Sequence, residues 1–420
     1  MRPLPTFPDA LRFWTKLGLI SFGGPAGQIA VMQHELVDRR GWIGQDAFLQ
    51  ALNFCMLLPG PEAQQLATYI GWKLHGVRGG LAAGILFVLP GALILYALAW
   101  IAAAHGDAAL VSAVFAGLKP VVVALVLHAI CRIGRKALKG PLAIGLAIAA
   151  FAAIEFVHVP FPAVVLVAGV TGWLAARQKP ETNGNVAPFA SAPATGRRAL
   201  SMMILYVVLL VVPLGVVVAL AGPDPFLALG RFFTQAAFVT FGGAYAVLPY
   251  VADAAVNKFH WLSSGEMING LALAETTPGP LILVLQYVGF FAGWNAPGAM
   301  SPLAAATLGA AVTTYATFLP SIFLILIGAP YVERIARIKA ARGALAAITA
   351  AVVGVIATLA WFFARQVVFT QSDSIGGGVD FIALATIVVA FGVLLRFKIS
   401  LHWVVLAGAL LGLARAEWAF

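Results

Sequence analysis

Ser21-Phe22-Gly23-Gly24-Pro25 in the first half of the chain recurs 219 residues later as Thr240-Phe241-Gly242-Gly243-Ala244. Pro59-Gly60-Pro61 recurs at the same spacing as Pro278-Gly279-Pro280. Residues 12–61 laid over 231–280 without a gap give 12 identities in 50 positions, six of them in these Gly and Pro clusters. The chain therefore contains two copies of one unit, and each copy carries two interruptions rich in Gly and Pro.

The composition is that of a membrane protein. Hydrophobic residues make up 61% of the chain, charged residues 10%, and the mean hydropathy is +0.96. A soluble domain has about 45–50% apolar and about 25% charged residues. Helices satisfy their own backbone hydrogen bonds in lipid. We therefore predict an all-α polytopic membrane protein.

A bilayer span needs about 20 mostly apolar residues, and the sequence offers thirteen candidates, so we expect about 12–13 transmembrane segments. They cover 11–31, 46–72, 80–104, 108–131, 141–157, 161–176, 199–221, 226–250, 266–292, 302–328, 343–364, 380–395 and 400–415. Residues 178–198 are polar and rich in Pro, Ala, Gly and Ser, which is typical of a linker. The predicted division is a first repeat over 1–177, this linker, a linking helix over 199–225 and a second repeat over 226–420.

Charge indicates the orientation. One side of the predicted topology holds 18 of the 26 Lys and Arg residues and the other side holds 5. Positive residues concentrate on the cytoplasmic side, so we expect a protein of the inner (cytoplasmic) membrane with its N-terminus in the cytoplasm. An odd number of spans separates the two copies, which predicts inverted topology. The net charge of +10 is assigned to these loops, so no nucleic-acid partner is expected.

The Gly and Pro clusters fall inside predicted spans, where they interrupt the helix. A half-helix that begins within the membrane attracts anions through its dipole and its unpaired N–H groups. Such breaks are tolerated only inside protein or beside a water-filled cavity, and in two-repeat transporters they form the substrate site. A simple kink or packing groove is the alternative. We predict a transporter whose anion site lies between the interrupted spans.

Ionisable residues within spans are functional candidates, and polar residues beside the breaks are potential donors to an anion. Lys119 either lines the anion path or pairs with a buried carboxylate. Glu62 and Glu275 are the proton-coupling candidates, although Glu62 at a helix start is also favourable to the dipole. The predicted substrate-binding residues are Arg12, Lys16, Ser21, Gly23, Gly24, Gln28, Asn53, Gly60, Gln64, Lys119, Thr240, Gly242, Gly243, Thr277, Gly279 and Gln286.

Motifs of other protein classes do not occur in the sequence. No lysine follows a glycine, so there is no nucleotide-binding P-loop, and no Ser/His/Asp elbow or HExxH motif is present. Only two cysteines occur, Cys55 and Cys131, and they form no CxxC pair. We therefore expect neither an enzyme nor a cofactor or metal site.

The order of FGGP, the loop with Trp42, and PGP, repeated with Trp261 in the second half, resembles the chromate ion transporter family. The resemblance implies two homologous halves of opposite orientation and chromate export from the cytoplasm. It further implies that membrane potential or a proton gradient drives export, that chromate resistance results, and that sulfate competes. Ala244 departs from the proline of the first copy, so the two halves need not be equivalent.

Several alternatives remain open at this point. They are a transporter of another oxyanion such as sulfate, one working in uptake, a passive anion channel, and a membrane-embedded chromate reductase. The lipid bilayer is the expected surrounding partner. The oligomeric state is open, a homodimer included.

Overall fold

The computed structural model describes residues 4–22, 24–178, 196–329, 339–369, 378–397 and 399–418. These residues form sixteen α-helices, two short π-helices and one 3₁₀ turn, and their only β pairing is an isolated bridge between Phe369 and Val379. The helices are α1 (Phe7–Ile20), α2 (Gly24–Gln33), α3 (Gln45–Cys55), α4 (Glu62–His105), α5 (Ala109–Ala137), α6 (Pro141–Glu155), α7 (Phe161–Arg177), α8 (Gly196–Ala221), α9 (Phe226–Val239), α10 (Ala244–Asp253), α11 (Ser264–Thr276), α12 (Val284–Asn295), α13 (Pro302–Gly328), α14 (Lys339–Val368), α15 (Phe381–Arg396) and α16 (Leu401–Trp418).

Several helices are long and apolar enough to cross a bilayer. Five of the described helices meet that requirement, namely α4, α5, α8, α13 and α14, and shorter apolar helices accompany them. The most apolar stretch of α8 is only 6% buried, so most of this helix faces outward. The prediction of an all-α polytopic membrane protein is confirmed.

All four predicted interruptions are present. The helical backbone stops between α1 and α2, between α3 and α4, between α9 and α10, and between α11 and the 3₁₀ turn Leu281–Leu283 that leads into α12. Glycine is required here because Gly60 has a φ of +124° and Gly243 a φ of +94°, which residues with a Cβ rarely adopt. The Gly and Pro clusters are thus true breaks rather than kinks in continuous helices.

Helix α4 contains most of two predicted spans. His75 and Gly76 leave the helical conformation within it, and Gly76 has a φ of +62°. The two arms fold back on each other and lie in close contact. A Cβ on Gly71 would meet the Ala83 side chain and the Gly79 backbone. A tight turn therefore replaces the longer loop that hydropathy alone suggested.

The breaks of one half bond to the breaks of the other half. The Gly60 N–H donates to the Thr240 carbonyl oxygen at 2.7 Å, and the Gly279 N–H donates to the Ser21 carbonyl oxygen at 2.8 Å. Gly60 and Gly279 are 219 residues apart, and so are Ser21 and Thr240. The two bonds are thus equivalent under an exchange of the halves.

The last helices of each half pack against the opposite half. Helix α5 packs against α15 and α16, and α14 packs against α6 and α7. A two-fold relation between the halves requires such reciprocal packing. It also requires the two equivalent hydrogen bonds between the helix breaks. The inverted orientation of the repeats stays a prediction.

Asp380 caps the start of α15. Its carboxylate accepts hydrogen bonds from the N–H groups of Ile382 and Ala383 at 3.0 and 2.9 Å, and from Arg415 at 2.9 Å. Burial alone would raise the pKa of Asp380. The Ala383 N–H and the Arg415 guanidinium lower it by more than burial raises it, so the pKa lies below its ordinary value. Because the pKa of Asp380 is lower in the folded than in the unfolded protein, its ionised form stabilises the fold at pH values above the unfolded pKa. This stabilisation is lost as the pH falls through the folded pKa.

We expect Asp380→Ala to cost about 1 kcal/mol of stability at pH 7, since it removes a helix cap. The difference from wild type should shrink as the pH falls below about 3.9, the ordinary pKa of Asp. Thermal unfolding in detergent across pH measures both effects. Asp107→Ala is the control, because Asp107 is exposed between α4 and α5 and should change little. An equal cost at pH 3 and pH 7 would contradict the role of the ionised cap.

Candidate functional site

A cavity of about 1320 Å³ lies between the two halves. At one end it is lined by the C-terminal ends of α5 and α7 and by the beginnings of α6 and α14. At the other end it reaches the helix breaks at Gly242, Gly243 and Glu62. The cavity therefore connects the side predicted to be cytoplasmic with the interrupted helices.

Positive charge dominates the cavity wall. Arg132, Lys136 and Lys139 of the first half and Arg342 of the second line it, whereas Glu62 is the only acidic residue among its described lining residues. Across the described part of the chain, none of these four cations has a carboxylate oxygen within 4.0 Å. A concave wall that carries mainly one sign of charge concentrates counter-ions. The cavity is thus suited to an anion.

Arginines on the side of the membrane that is predicted to face outward are paired with carboxylates, unlike the cations of the cavity. Glu35 accepts hydrogen bonds from Arg39 and Arg40, at 2.8 and 3.2 Å. The carboxylate of Glu155 pairs with Arg365 at 2.9 Å, and that of Asp380 pairs with Arg415 at the same distance. These arginines are neutralised locally, whereas the cavity cations are not.

Two helices begin at the cavity. Pro25 and Ala26 at the start of α2 and Gly243 and Ala244 at the start of α10 all line it. The first N–H groups of a helix lack intrahelical partners and carry the positive end of its dipole. A Cβ on Gly24 would lie 3.8 Å from an Arg132 Nη atom, so this guanidinium lies beside the start of α2. Both FGG breaks and Arg132 thus converge on one space.

A buried carboxylate lies behind the cavity wall. Tyr245 lines the cavity, and its hydroxyl donates a hydrogen bond to Oε1 of Glu275, which is buried on α11. The positions 219 residues earlier are Ala26 and Met56, which line the same cavity without polar side chains. Only the second half therefore carries this tyrosine–carboxylate pair.

The structure places the predicted site residues in three groups. Gly242, Gly243 and Glu62 line the cavity, and Gly24 lies beside Arg132. A second group is buried where the breaks cross. It comprises Ser21, Gln28, Gly60, Gln64, Thr240, Thr277, Gly279 and Gln286.

Side chains of this second group bond mainly to the protein itself. Gln28 Nε2 donates to the Gly279 carbonyl oxygen at 2.5 Å, and Gln286 Nε2 donates to the Ala92 carbonyl oxygen at 2.9 Å. Gln64 Oε1 accepts from the Ser321 hydroxyl at 2.9 Å. These bonds stabilise the broken backbone, since freed carbonyl groups need donors in a dry interior.

The third group lies away from the cavity. Arg12, Lys16 and Asn53 are exposed, and Arg12 lies 4.0 Å from Asp9. Lys119 is half-buried on α5, and a Cβ on Gly265 would lie 3.5 Å from its Nζ. Gly23 lies outside the described residues.

Sequence reasoning missed the cavity cations. Arg132, Lys136, Lys139 and Arg342 were assigned to loops as topology determinants, but the first two belong to α5. The spacing of Arg132 and Lys136 by four residues was the available signal, because residues at this spacing share a helix face. Among the described residues, no three His, Cys, Asp or Glu side chains are placed to hold a metal ion.

Comparison with known proteins identifies the family. The family model of the chromate transporters matches residues 9–173 and 227–413. A chromate transport protein of Pseudomonas aeruginosa is 30% identical over 417 residues, covering 98% of this chain and 92% of its own. A chromate transport protein of Cupriavidus metallidurans is 27% identical over 415 residues, covering 98% of this chain and 94% of its own.

A shorter relative matches only part of the chain. An uncharacterized transporter of Bacillus subtilis is 31% identical over 134 residues, which make up 32% of this chain and 68% of that protein. No solved structure matches the chain. With the family model covering most of its length in both halves, the chain belongs to the chromate transporter family.

Proposed function

We propose that the protein exports chromate from the cytoplasm through this cavity and thereby confers chromate resistance. The names of the full-length relatives support the substrate. The observation that carries the proposal is the cavity where two helix starts meet four basic side chains, none of which has a carboxylate within 4.0 Å among the described residues. We propose that the anion binds at Gly24, Gly242 and Gly243, with Arg132 as its main cationic partner.

The residues present fit a tetrahedral dianion. Arg132 offers a planar fork of donors that binds two oxygens of an oxyanion at once. Helix starts add backbone donors directed at the same space, and lysines attract the anion as point charges. Sulfate has the same shape and charge, so it is the natural competitor and the alternative substrate.

The membrane potential suffices to drive export. Moving one charge through 100 mV is worth about 2.3 kcal/mol, so a dianion leaving a negative-inside cell gains about 4.6 kcal/mol. The cavity lies on the side predicted to be cytoplasmic, where the anion would be captured. Glu62 in the cavity and Glu275 behind Tyr245 are the groups that we propose for coupling to a proton gradient.

Flux into and out of proteoliposomes tests the function, with membrane potential and pH gradient set separately. We expect chromate to move toward the positive side and against its own gradient when the potential is large enough. Sulfate offered alone and in competition separates the two substrates. Chromate movement against its full electrochemical gradient, driven by the pH gradient, would exclude a passive channel. A folded protein that moves sulfate but no chromate would overturn the substrate.

Glu275→Gln tests the proton coupling. The substitution keeps the shape of the side chain and removes its titration, so we expect chromate flux to persist while its dependence on pH disappears. Tyr245→Phe is the companion variant, because it keeps Glu275 and removes its link to the cavity. Unchanged pH dependence in Glu275→Gln would exclude this carboxylate as the coupling group.

A further inference from the structure

Helices α5 and α14 occupy equivalent places in the two halves, and their packing fixes the register. A Cβ on Gly412 of α16 would collide with the backbone of Ala113 and Gly117 on α5. A Cβ on Gly172 of α7 would collide with Gly343 and Ala347 on α14. Ala113 and Gly343 are 230 residues apart, as are Gly117 and Ala347. A residue of α5 therefore corresponds to the residue of α14 that lies 230 positions later.

In this register Lys119 corresponds to Thr349. Thr349 lines the cavity, and its Cγ2 would lie 3.7 Å from a Cβ on Gly242. Lys119 is half-buried like Thr349, but it lies outside the cavity. The first half thus has a lysine where the second half has a cavity-lining threonine.

Lys119 has no ionic partner that explains its position. No carboxylate oxygen lies within 4.0 Å of its Nζ in the part of the chain that the structure describes. Glu266 at the nearby start of α11 forms the capping box with Ser263 and makes no ion pair with Lys119 within 4.0 Å. An unpaired cation within a membrane helix is costly and marks an ion path by default.

Transporters built from two repeats alternate access by moving one repeat against the other around a fixed site. An exchange of the two repeat conformations closes the present cavity and opens the equivalent one on the opposite side. We propose that Lys119 lines this second cavity, in the place Thr349 has in the present one, and is the cation that meets the anion there. The proposal rests on the proposed function for the identity of the anion.

The same register predicts that the second cavity holds the anion less strongly. Arg132 corresponds to Phe362, and Lys136 corresponds to Gln366. The counterpart of Arg342 is Ser112. One lysine thus replaces the cationic cluster of the present cavity. Capture is therefore stronger on the cavity side than on the opposite side.

Sidedness of cysteine labelling tests the geometry. Lys119→Cys and Thr349→Cys are made in a Cys55→Ala, Cys131→Ala background that unfolds at the same temperature as the wild type. A membrane-impermeant charged thiol reagent is then added to one side of oriented proteoliposomes. We expect Thr349→Cys to react from the side of Arg132 and Lys136, and Lys119→Cys from the opposite side. Chromate on each side should protect the cysteine exposed there.

The outcomes separate the two proposals. Reaction of both cysteines from the same side, or of Thr349→Cys alone, would overturn the second cavity. Opposite-sided labelling without any chromate protection or flux would support the geometry and reject chromate as the anion. The labelling itself does not depend on which anion is carried.

A second measurement tests the charge of Lys119. We expect Lys119→Gln to raise the KM for chromate offered on the side opposite the present cavity by about tenfold, since one close charge interaction is lost. Lys119→Arg should restore it, and the KM on the cavity side should change by less than about twofold in both variants. A merely structural role would change both sides equally and would fail to distinguish Arg from Gln.

Discussion

Replacing Arg132 by glutamine is expected to lower kcat/KM for chromate by about 100-fold while the protein stays folded. A hydrogen bond to a charged group is worth about 1.5–3 kcal/mol, and each 1.36 kcal/mol is about tenfold in rate. Arg132 lines the cavity beside the start of α2, and no carboxylate among the described residues pairs with it. Its loss removes the bidentate partner of the anion and breaks no ion pair within 4.0 Å in the described part of the chain.

Arg135→Gln is the matched control for this substitution. Arg135 belongs to the same helix three residues later, but it is exposed and does not line the cavity. We expect flux in this variant to stay within about twofold of wild type, because an exposed charge is screened by solvent and salt. Equal losses in the two variants would mean that general positive charge at this membrane surface matters, rather than the guanidinium in the cavity.

Replacing Gly60 by alanine is expected to destabilise the protein and abolish most transport. Gly60 has a φ of +124°, and a Cβ there would lie 2.8 Å from Gln65 Nε2 and 2.9 Å from Ser321 Oγ. Such strain costs about 1–3 kcal/mol. Relief of the strain would displace the Gly60 N–H from the Thr240 carbonyl oxygen, which joins the two halves. Thermal unfolding in detergent and chromate flux measure the two effects.

Gly145→Ala is the control for the backbone argument. Gly145 lies within α6, has helical geometry, and a Cβ there would meet nothing within 4 Å. Alanine is favoured over glycine in a helix by about 1 kcal/mol, so this variant should be at least as stable as wild type. A Gly60→Ala variant as stable and active as Gly145→Ala would show that the break tolerates an ordinary residue.

The sequence by itself determined the membrane class and the four helix breaks. Composition decides the class because backbone groups in lipid must be satisfied within helices. Glycine and proline decide the breaks because their effect on the backbone is local. At Gly60 and Gly243 the absence of a Cβ permits the positive φ that each break uses.

Only the tertiary structure decided which polar groups face the cavity. Gln28 and Gln286 lie near breaks in the sequence, yet their amides donate to carbonyl groups of other helices. Arg132 and Lys136 were predicted to be loop residues, yet the packing of α5 between the two halves directs them into the cavity. The face that a helix presents to a cavity depends on contacts with helices distant in sequence, and no local pattern contains those contacts.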